Sequence, residues 1–221
     1  MEKPGLADLP EIVSIFPLQG VLLLPRSHLP LHIFEPRYRA MTGDALADGG
    51  YIAMIQPTGE TSADPLNPPV FETACLGRIV SSEQAEDGRY NIVLRGVCRL
   101  HVAEELPLKD GYRRVRADYA PFAQDLEATD SAASPIEREA LLAALRNFLD
   151  RRSLKANWEE AARAGDEQLV NSLAMACPFA PPEKQALLES QDVAARAELL
   201  QALCELDGGN IANENTPPPM H

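Results

Sequence analysis

The sequence predicts an α+β protein, with a small β-barrel carrying one inserted helix in its first half and a helical bundle in its second. Two observations support this prediction. Up to about residue 123, apolar residues form short runs or alternate with polar ones, and glycine and proline interrupt them. This pattern is typical of short strands. Beyond residue 133, apolar residues recur every three or four positions, which is typical of amphipathic helices.

The strand predictions rest on compact apolar runs and on alternation with period 2. The predicted strands are Ile12–Phe16, Val21–Leu24, Tyr51–Gln56, Tyr90–Arg95, Cys98–Val102 and Arg114–Tyr119. Gly96, which lies between two of them, predicts a bulge or bend. Many short strands with glycine and proline punctuation favour an antiparallel sheet that closes into a small barrel.

One helix is predicted within the strand-rich half. Pro36 suits the first turn of a helix, and Tyr38, Met41 and Ala45 then recur at helical spacing. The pair Gly49–Gly50 predicts the end of this helix. The segment Thr58–Pro69, rich in proline, threonine and serine, is predicted to be a loop.

The second half predicts a series of helices. Ser134, Pro135 and Glu137 have the spacing of a helix start, with Ser134 as N-cap and Glu137 completing a capping box. The apolar stripe that follows contains Leu141, Leu142, Leu145, Phe148 and Leu149. Further helices are predicted at residues 154–164, 167–176, 181–189 and 192–206, with Gly208 as a cap for the last.

These patterns divide the chain into four predicted regions. Residues 1–123 form the barrel and residues 134–208 the helical bundle. The polar, acidic stretch 124–133 is predicted to be a linker. The tail 209–221 holds three consecutive prolines and no apolar period, so it is predicted to be disordered.

Composition limits the classes of function. The 221 residues are 45% hydrophobic, and the formal net charge of −13 disfavours nonspecific attraction to nucleic acid or anionic membranes. We expect a soluble, cytoplasmic protein, because the sequence contains neither a signal peptide pattern nor an apolar run of about 20 residues. Its four cysteines are scattered through apolar segments and are predicted to be buried thiols.

The motifs of common enzymes are absent from the sequence. None of its four lysines follows a glycine-rich phosphate loop, so an ATPase with a Walker A motif is excluded. No GxSxG, HExxH or GxGxxG pattern occurs. The four histidines are dispersed, and His32 and Glu35 would point to opposite faces of a strand. We therefore predict no catalytic residues, no metal site and no cofactor.

Two groups of charged residues are candidate binding residues. Glu35 and Arg37 lie at the turn from a strand to the predicted helix, where Glu35 could form a structural ion pair with Arg39 or contact a ligand. The second group would share one outer face of the barrel if the strands around Arg99 and Arg114 pair. It consists of Arg99, His101, Arg114 and Arg116. Such a face allows RNA binding, but nearby acidic residues favour ordinary solvated charges.

Ordered motifs resemble the N-terminal domain family of Lon proteases. The resemblance begins with Phe16–Leu18, Gly20–Pro25 and Leu29–Tyr38 and continues through Cys75–Ile79 and Asp87–Gly96. It implies a PUA-like barrel with one inserted helix, followed by a helical bundle. In full-length Lon proteases this region helps to recognise substrate proteins, and an ATPase and a serine–lysine protease follow it. The family domain has no catalytic residue to transfer.

The resemblance predicts a free-standing, non-enzymatic module that binds polypeptide, either a substrate or a partner protein. Two alternatives stay open at this point. One is an RNA-binding module on the same PUA-like fold. The other is an enzyme with an unrecognised site, which a deep polar pocket with a strongly shifted titratable group would indicate.

Overall fold

A computed structural model describes residues 5–60, 62, 64, 66–127, 136–155 and 157–214. Short 3₁₀ helices occur at Leu6–Asp8 and Ala120–Leu126. The strands are β1 (Ile12–Pro17), β2 (His28–Ile33), β3 (Tyr51–Pro57), β4 (Val70–Gln84), β5 (Tyr90–Lys109) and β6 (Tyr112–Asp118). The helices are α1 (Pro36–Ala47), α2 (Arg138–Arg151), α3 (Trp158–Arg163), α4 (Asp166–Ala176), α5 (Pro181–Glu189) and α6 (Val193–Glu214).

The chain divides into two compact units. The barrel unit comprises Met1–Ala128 together with Pro178–Glu189, and the helical unit comprises Thr129–Cys177 and Ser190–His221. Helix α5, which the sequence pattern places with the helical bundle, contacts strands β3 and β4 of the barrel unit. The barrel unit is therefore discontinuous in sequence.

The barrel unit is built on one sheet with the strand order β2-β5-β4-β3-β1-β6. The sheet closes because β6 also pairs with β5. The predicted small barrel with one inserted helix, followed by helices, is thus confirmed. The expectation of a purely antiparallel sheet is wrong, because β1 and β3 run parallel. Helix α1 lies between β2 and β3 in the chain and supplies the crossover that a barrel of mixed direction requires.

The long strand β5 organises the closure. Its first part, Tyr90–Arg95, pairs with β2, and its last part, His101–Lys109, pairs with β6. Its register against β4 shifts next to Gly96, where the sequence predicts a bulge. The barrel core contains residues from the inner faces of five strands, among them Ile15, Ile55, Leu76, Cys98, Leu100 and Val115.

The segment Val21–Leu24, predicted as a strand, has no strand structure. Its apolar side chains Leu22, Leu23 and Leu24 are nevertheless buried. The Gln56 side-chain amide donates to the Val21 carbonyl and accepts a bond from the Gly20 amide. A side chain thus replaces the neighbouring strand as backbone partner at these positions, so an apolar run forms part of the core without joining a ladder.

Helix α1 agrees with its prediction. Tyr38, Met41, Thr42 and Ala45 are buried on one face. The chain then turns at Gly49 and Gly50, both of which adopt positive φ, a conformation that glycine accepts without steric cost. The helix therefore ends where the glycine pair predicts.

The helical unit follows the apolar stripes read from the sequence. Leu141, Leu145, Phe148 and Leu149 of α2 are buried, and α2 and α4 both pack on α6. The start of α2 differs from its prediction, because Glu137 is the N-cap and the helix begins at Arg138. The proposed cap residues Ser134 and Pro135 lie outside the described residues. Helix α6 continues to Glu214, past its predicted end at residue 206 and the predicted cap Gly208, into the predicted tail.

The predicted linker is wrong over its first residues. Positions 124–126 belong to the 3₁₀ helix Ala120–Leu126, and Asp125 is buried there. Its carboxylate binds Arg99, which keeps this part of the chain on the barrel. Glu127 is the C-cap of this helix, and residues 128–133 of the predicted linker are not among the described residues.

Candidate functional site: a groove beside strand β2

The barrel unit contains a groove of about 310 Å³, which we call the β2 groove. It is lined by Phe16, Pro17, Leu18, Pro30, Leu31, His32, Ile33, Phe34, Glu35, Arg37 and Tyr38. This volume lies at the lower end of the range of small-molecule pockets and accommodates a few side chains of a ligand. Most of its lining is apolar, and its polar groups are the side chains of His32, Glu35 and Arg37 and the Tyr38 hydroxyl.

The sheet topology explains why the barrel wall is open here. Within the described residues, β2 pairs with β5 and with no other strand. Strand β1 pairs with β6 only through Ile12–Ile15, and its last residues, Phe16 and Pro17, pair with β3 alone. The groove is lined both by β2 and by this end of β1, at positions where neither strand has a partner on that side.

The floor of the groove is apolar and buried. The rings of Phe16 and Tyr38 contact each other with centroids 4.3 Å apart, and both residues are buried, as is Ile33. Burial raises the pKa of the Tyr38 hydroxyl above its ordinary value, and the positive charge of Arg37 partly offsets this effect. Tyr38 is therefore neutral at pH 7 and presents an aromatic surface.

The free edge of β2 carries backbone groups that its neighbour β5 does not use. The Gly96 amide donates to the Ser27 carbonyl at 2.9 Å, which places Ser27 on the side that bonds β5. Bonded and unbonded positions alternate in an antiparallel ladder. His28, Pro30 and His32 therefore direct their backbone groups away from β5, and Pro30, which has no N–H, occupies a position that needs none.

Aromatic and apolar side chains form the rim. Phe34 is 60% exposed, although it is one of the larger apolar residues in the chain. Its ring stacks with that of His32 at a centroid distance of 6.1 Å. The His32 Nδ1 atom is 2.7 Å from Asn91 Oδ1 on β5, and this contact orients the imidazole. An exposed aromatic residue beside a groove is typical of a recognition surface.

Glu35 and Arg37, both predicted as binding residues, lie together at one end of the groove. Arg37 Nε donates to Glu35 Oε2 at 3.0 Å, and the guanidinium lies 4.4 Å from the centre of the Tyr38 ring. Arg37 also donates to the Leu66 carbonyl. The partner of Glu35 is thus Arg37, and not Arg39 as expected from the helical spacing. The pair adds one carboxylate and one guanidinium to an otherwise apolar groove.

The predicted basic face does not form. Arg99 is only 2% exposed, and its guanidinium and backbone amide bind the Asp125 carboxylate. Its Nη1 atom also donates to the Leu188 carbonyl of α5. The expectation that Arg99 points outward with the other arginines is therefore wrong, because the 3₁₀ helix and α5 cover this part of the outer surface.

The other two arginines lie on β6 and are engaged with the protein itself. Arg114 donates to the Pro107 carbonyl, and Arg116 forms ion pairs with Glu11 and Glu104. Arg114 and Arg116 thus lie on one strand, Glu35 and Arg37 line the β2 groove, and Arg99 is enclosed by the 3₁₀ helix and α5. Paired arginines are weak candidates for phosphate contacts, so these positions give no support to RNA binding.

Two of the predicted binding residues, Glu35 and Arg37, line the groove, but the sequence prediction did not include the rest of its lining. Its apolar wall is formed by Leu18, Pro30, Leu31 and Phe34, which look like ordinary strand and turn residues in the sequence. The one available signal was Phe34, an aromatic residue directly before a charged helix start. Only the topology shows that β2 has a free edge.

The described residues were also compared with the requirements of metal binding and of membrane spanning. Across the described residues, no three His, Cys, Asp or Glu side chains are arranged to hold a metal ion. No helix in the same part of the chain combines the length and the apolar character needed to cross a bilayer.

One known protein family matches most of this chain. The profile of the family described as ATP-dependent protease La (LON) substrate-binding domain matches residues 12–205. Lon protease 2 of Myxococcus xanthus is 25% identical over 206 residues, which cover 92% of this chain and 25% of that protein. The Lon protease of Desulfosudis oleivorans is 27% identical over 196 residues, 85% of this chain and 23% of the relative. The chain therefore spans about a quarter of the length of these relatives.

Two solved structures share the fold. A Lon N-terminal domain protein from Xanthomonas campestris superimposes with a TM-score of 0.57 at 21% identity, covering 86% of this chain and 97% of the other. The N-terminal domain of the Mycobacterium avium complex Lon protease gives a TM-score of 0.58 at 19% identity, covering 87% and 97%. At these identities the likeness concerns the fold alone.

Proposed function

Because the chain belongs to the family of ATP-dependent protease La (LON) substrate-binding domains, we propose that it binds polypeptide in the β2 groove. The function is recognition by binding alone, without ATP hydrolysis or peptide-bond cleavage by these 221 residues, which contain no phosphate-binding loop. Its ligands are unfolded or partly unfolded segments of substrate or partner proteins.

The observation that carries this proposal is the exposure of Phe34 beside an apolar groove. Unfolded chains differ from folded proteins mainly in offering apolar side chains and free backbone groups. The Phe16–Tyr38 floor can bury the first, and the free edge of β2 can pair with the second. Paired arginines elsewhere on the barrel give no comparable surface for nucleic acid.

Fluorescence anisotropy with labelled α-lactalbumin tests the proposal. The reduced form of this protein, with its cysteines blocked by iodoacetamide so that no charge is added, is unfolded, and we expect it to bind, whereas the native disulfide-bonded form should not. A lack of binding by the unfolded form, with the chain shown to be folded by circular dichroism, would contradict the proposal.

A pair of variants locates the site. Phe34→Ala removes the exposed aromatic ring beside the groove and is expected to weaken binding of the unfolded probe by roughly 5- to 30-fold, since truncating an aromatic contact residue costs about 1–2 kcal/mol. Leu108→Ala is the matched control, because Leu108 is 50% exposed in the same unit but does not line the groove. Equal losses in both variants would show that binding does not depend on the β2 groove.

A further inference from the structure

We propose that the ligand enters the β2 groove as an extended strand that pairs with the free edge of β2, with a basic side chain beside Glu35. This inference rests on the proposed function and specifies the conformation and charge of the segment bound. The occupant is thus an extended polypeptide segment with apolar side chains and at least one lysine or arginine.

The unpaired backbone groups of β2 favour an extended ligand. His28, Pro30 and His32 direct their backbone groups to the unpaired side of β2, as the Gly96 to Ser27 bond and the alternation of the ladder require. An extended segment can donate to and accept from these groups. A helical segment cannot, because its own backbone groups are bonded within the helix, so it would cover the edge without pairing it.

The position of the free edge of β2 also favours an added strand. The unpaired end of β1, at Phe16 and Pro17, contributes to the same groove as β2. A strand added to β2 would therefore lie in the opening of the barrel wall. Successive side chains of a strand point to opposite faces, so alternate side chains of the segment would face the Phe16–Tyr38 floor.

The charge at the end of the groove favours a basic side chain in the ligand. Glu35 uses Oε2 for Arg37, and no donor among the described residues reaches its Oε1 atom. Its side chain is 40% exposed at the end of the groove. The net charge of −13 attracts cationic segments at long range and repels acidic ones. A lysine or arginine of the ligand therefore finds a carboxylate oxygen at the groove and a favourable field around it.

Backbone methylation of the ligand tests the strand geometry. Decapeptides that tile the α-lactalbumin chain are screened, and the tightest binder is then N-methylated at one position at a time. We expect losses of roughly two- to tenfold at alternate positions, because each methyl group removes one edge hydrogen bond, with little effect at the positions between. Losses spaced by three or four residues, or no losses at all, would overturn strand addition.

Two variants at one position test the protein side of the same bonds. His32→Pro removes the N–H that points to the free edge but no bond to β5, whereas His32→Ala removes the imidazole and keeps the N–H. We expect roughly two- to tenfold weaker binding of the decapeptide to His32→Pro than to His32→Ala. Equal affinities of the two variants, both with unchanged melting temperatures, would overturn the proposal. If His32→Pro fails to fold, the methylation series decides.

The charge preference has its own test. Each position of the decapeptide is replaced in turn by lysine and by norleucine, and we expect one position at which lysine binds roughly two- to fivefold tighter. Glu35→Gln should abolish that difference and leave the affinity of the norleucine peptide unchanged. A lysine preference that persists in Glu35→Gln would overturn the assignment of Glu35.

These experiments distinguish a failure of polypeptide binding from a failure of the strand geometry alone. If no decapeptide and no unfolded α-lactalbumin binds, the proposed function itself fails and strand addition fails with it. If both bind but the methylation losses lack a two-residue period, polypeptide binding stands and the strand geometry is wrong.

Discussion

At the scale of single residues, the buried pair of Arg99 and Asp125 joins parts of the chain that are distant in sequence. Arg99 Nε and Nη2 each donate to an Asp125 oxygen at 2.8 Å, and its backbone amide donates to the same carboxylate at 2.9 Å. The guanidinium also lies 4.7 Å from the centre of the Phe122 ring. The buried positive charge of Arg99 is tolerated because its guanidinium nitrogens all donate hydrogen bonds and the Asp125 carboxylate balances it.

Replacing Asp125 by asparagine tests how much the fold depends on this pair. Asp125→Asn keeps the shape but leaves the Arg99 charge without its carboxylate, and breaking a buried pair costs about 3–5 kcal/mol. We expect a loss of this size in the free energy of unfolding measured with urea. Glu104→Gln is the control, since it removes an exposed partner of Arg116 and should cost less than about 1 kcal/mol. Similar losses in both variants would contradict this account.

For single residues, the sequence predicts which side chains of a strand face the core, but not which other elements cover its outer face. Period 2 correctly places Cys98 and Leu100 in the core, but it cannot show that another element covers the outer face at Arg99. The acid that pairs with Arg99 lies 26 positions further on, in a stretch whose polarity suggests a linker. The proximity of Glu35 and Arg37 could be predicted because both belong to one turn, whereas the pairing of Glu35 with Arg37 rather than Arg39 could not.

At the scale of elements, the close approach of the Leu22–Leu24 segment to β5 depends on glycine. A Cβ atom on Gly96 would lie 2.0 Å from the Leu24 carbonyl oxygen and 2.8 Å from its carbonyl carbon. The Arg26 amide donates to the Gly96 carbonyl at 2.8 Å, so the two backbones are also bonded there. The clash would be with backbone atoms, which cannot rotate away as a side-chain end could.

Gly96→Ala is therefore expected to destabilise the barrel unit by about 3 kcal/mol or more, at the upper end of overpacking effects. Gly165→Ala, in the helical unit, is the control, because nothing lies within 4 Å of an added Cβ at that position. Because Gly165 is the N-cap of α4, where alanine is less favourable than glycine, we expect a cost of about 0.5–1 kcal/mol, well below that of Gly96→Ala. The stabilities of the two variants are compared by thermal unfolding. A Gly96→Ala variant as stable as Gly165→Ala would show that the segment can move.

The structure of the Val21–Leu24 segment also differs from its predicted strand. Val21–Leu24 has the composition of a strand, and the side-chain amide of Gln56 supplies backbone bonds that a neighbouring strand would otherwise supply. Hydrophobic runs report burial rather than hydrogen-bond partners, so the run was correctly placed in the core and wrongly assigned to a strand. The helices were predicted more closely, because a helix satisfies its backbone within one segment.

At the scale of the whole molecule, the two units interleave along the chain. Helix α5 belongs to the barrel unit, although α4 before it and α6 after it belong to the helical unit. Gln185 Nε2 donates to the Thr73 carbonyl at 3.1 Å, and Arg99 Nη1 donates to the Leu188 carbonyl at 3.1 Å. The connections on both sides of α5 thus pass between units, an arrangement that helical periodicity alone gives no means of detecting.

Hydrogen exchange of two leucine variants tests this assignment. Leu187 of α5 and Leu145 of α2 are both fully buried, so replacement of either by alanine should cost about 2–5 kcal/mol. If α5 is part of the barrel unit, Leu187→Ala lowers protection in β3 and β4 more than in α2 and α6. Leu145→Ala should do the reverse, because α2 packs on α6. Local openings report the cooperative unit to which a residue belongs. Faster exchange confined to α2, α4 and α6 in the Leu187→Ala variant would place α5 with the helices instead.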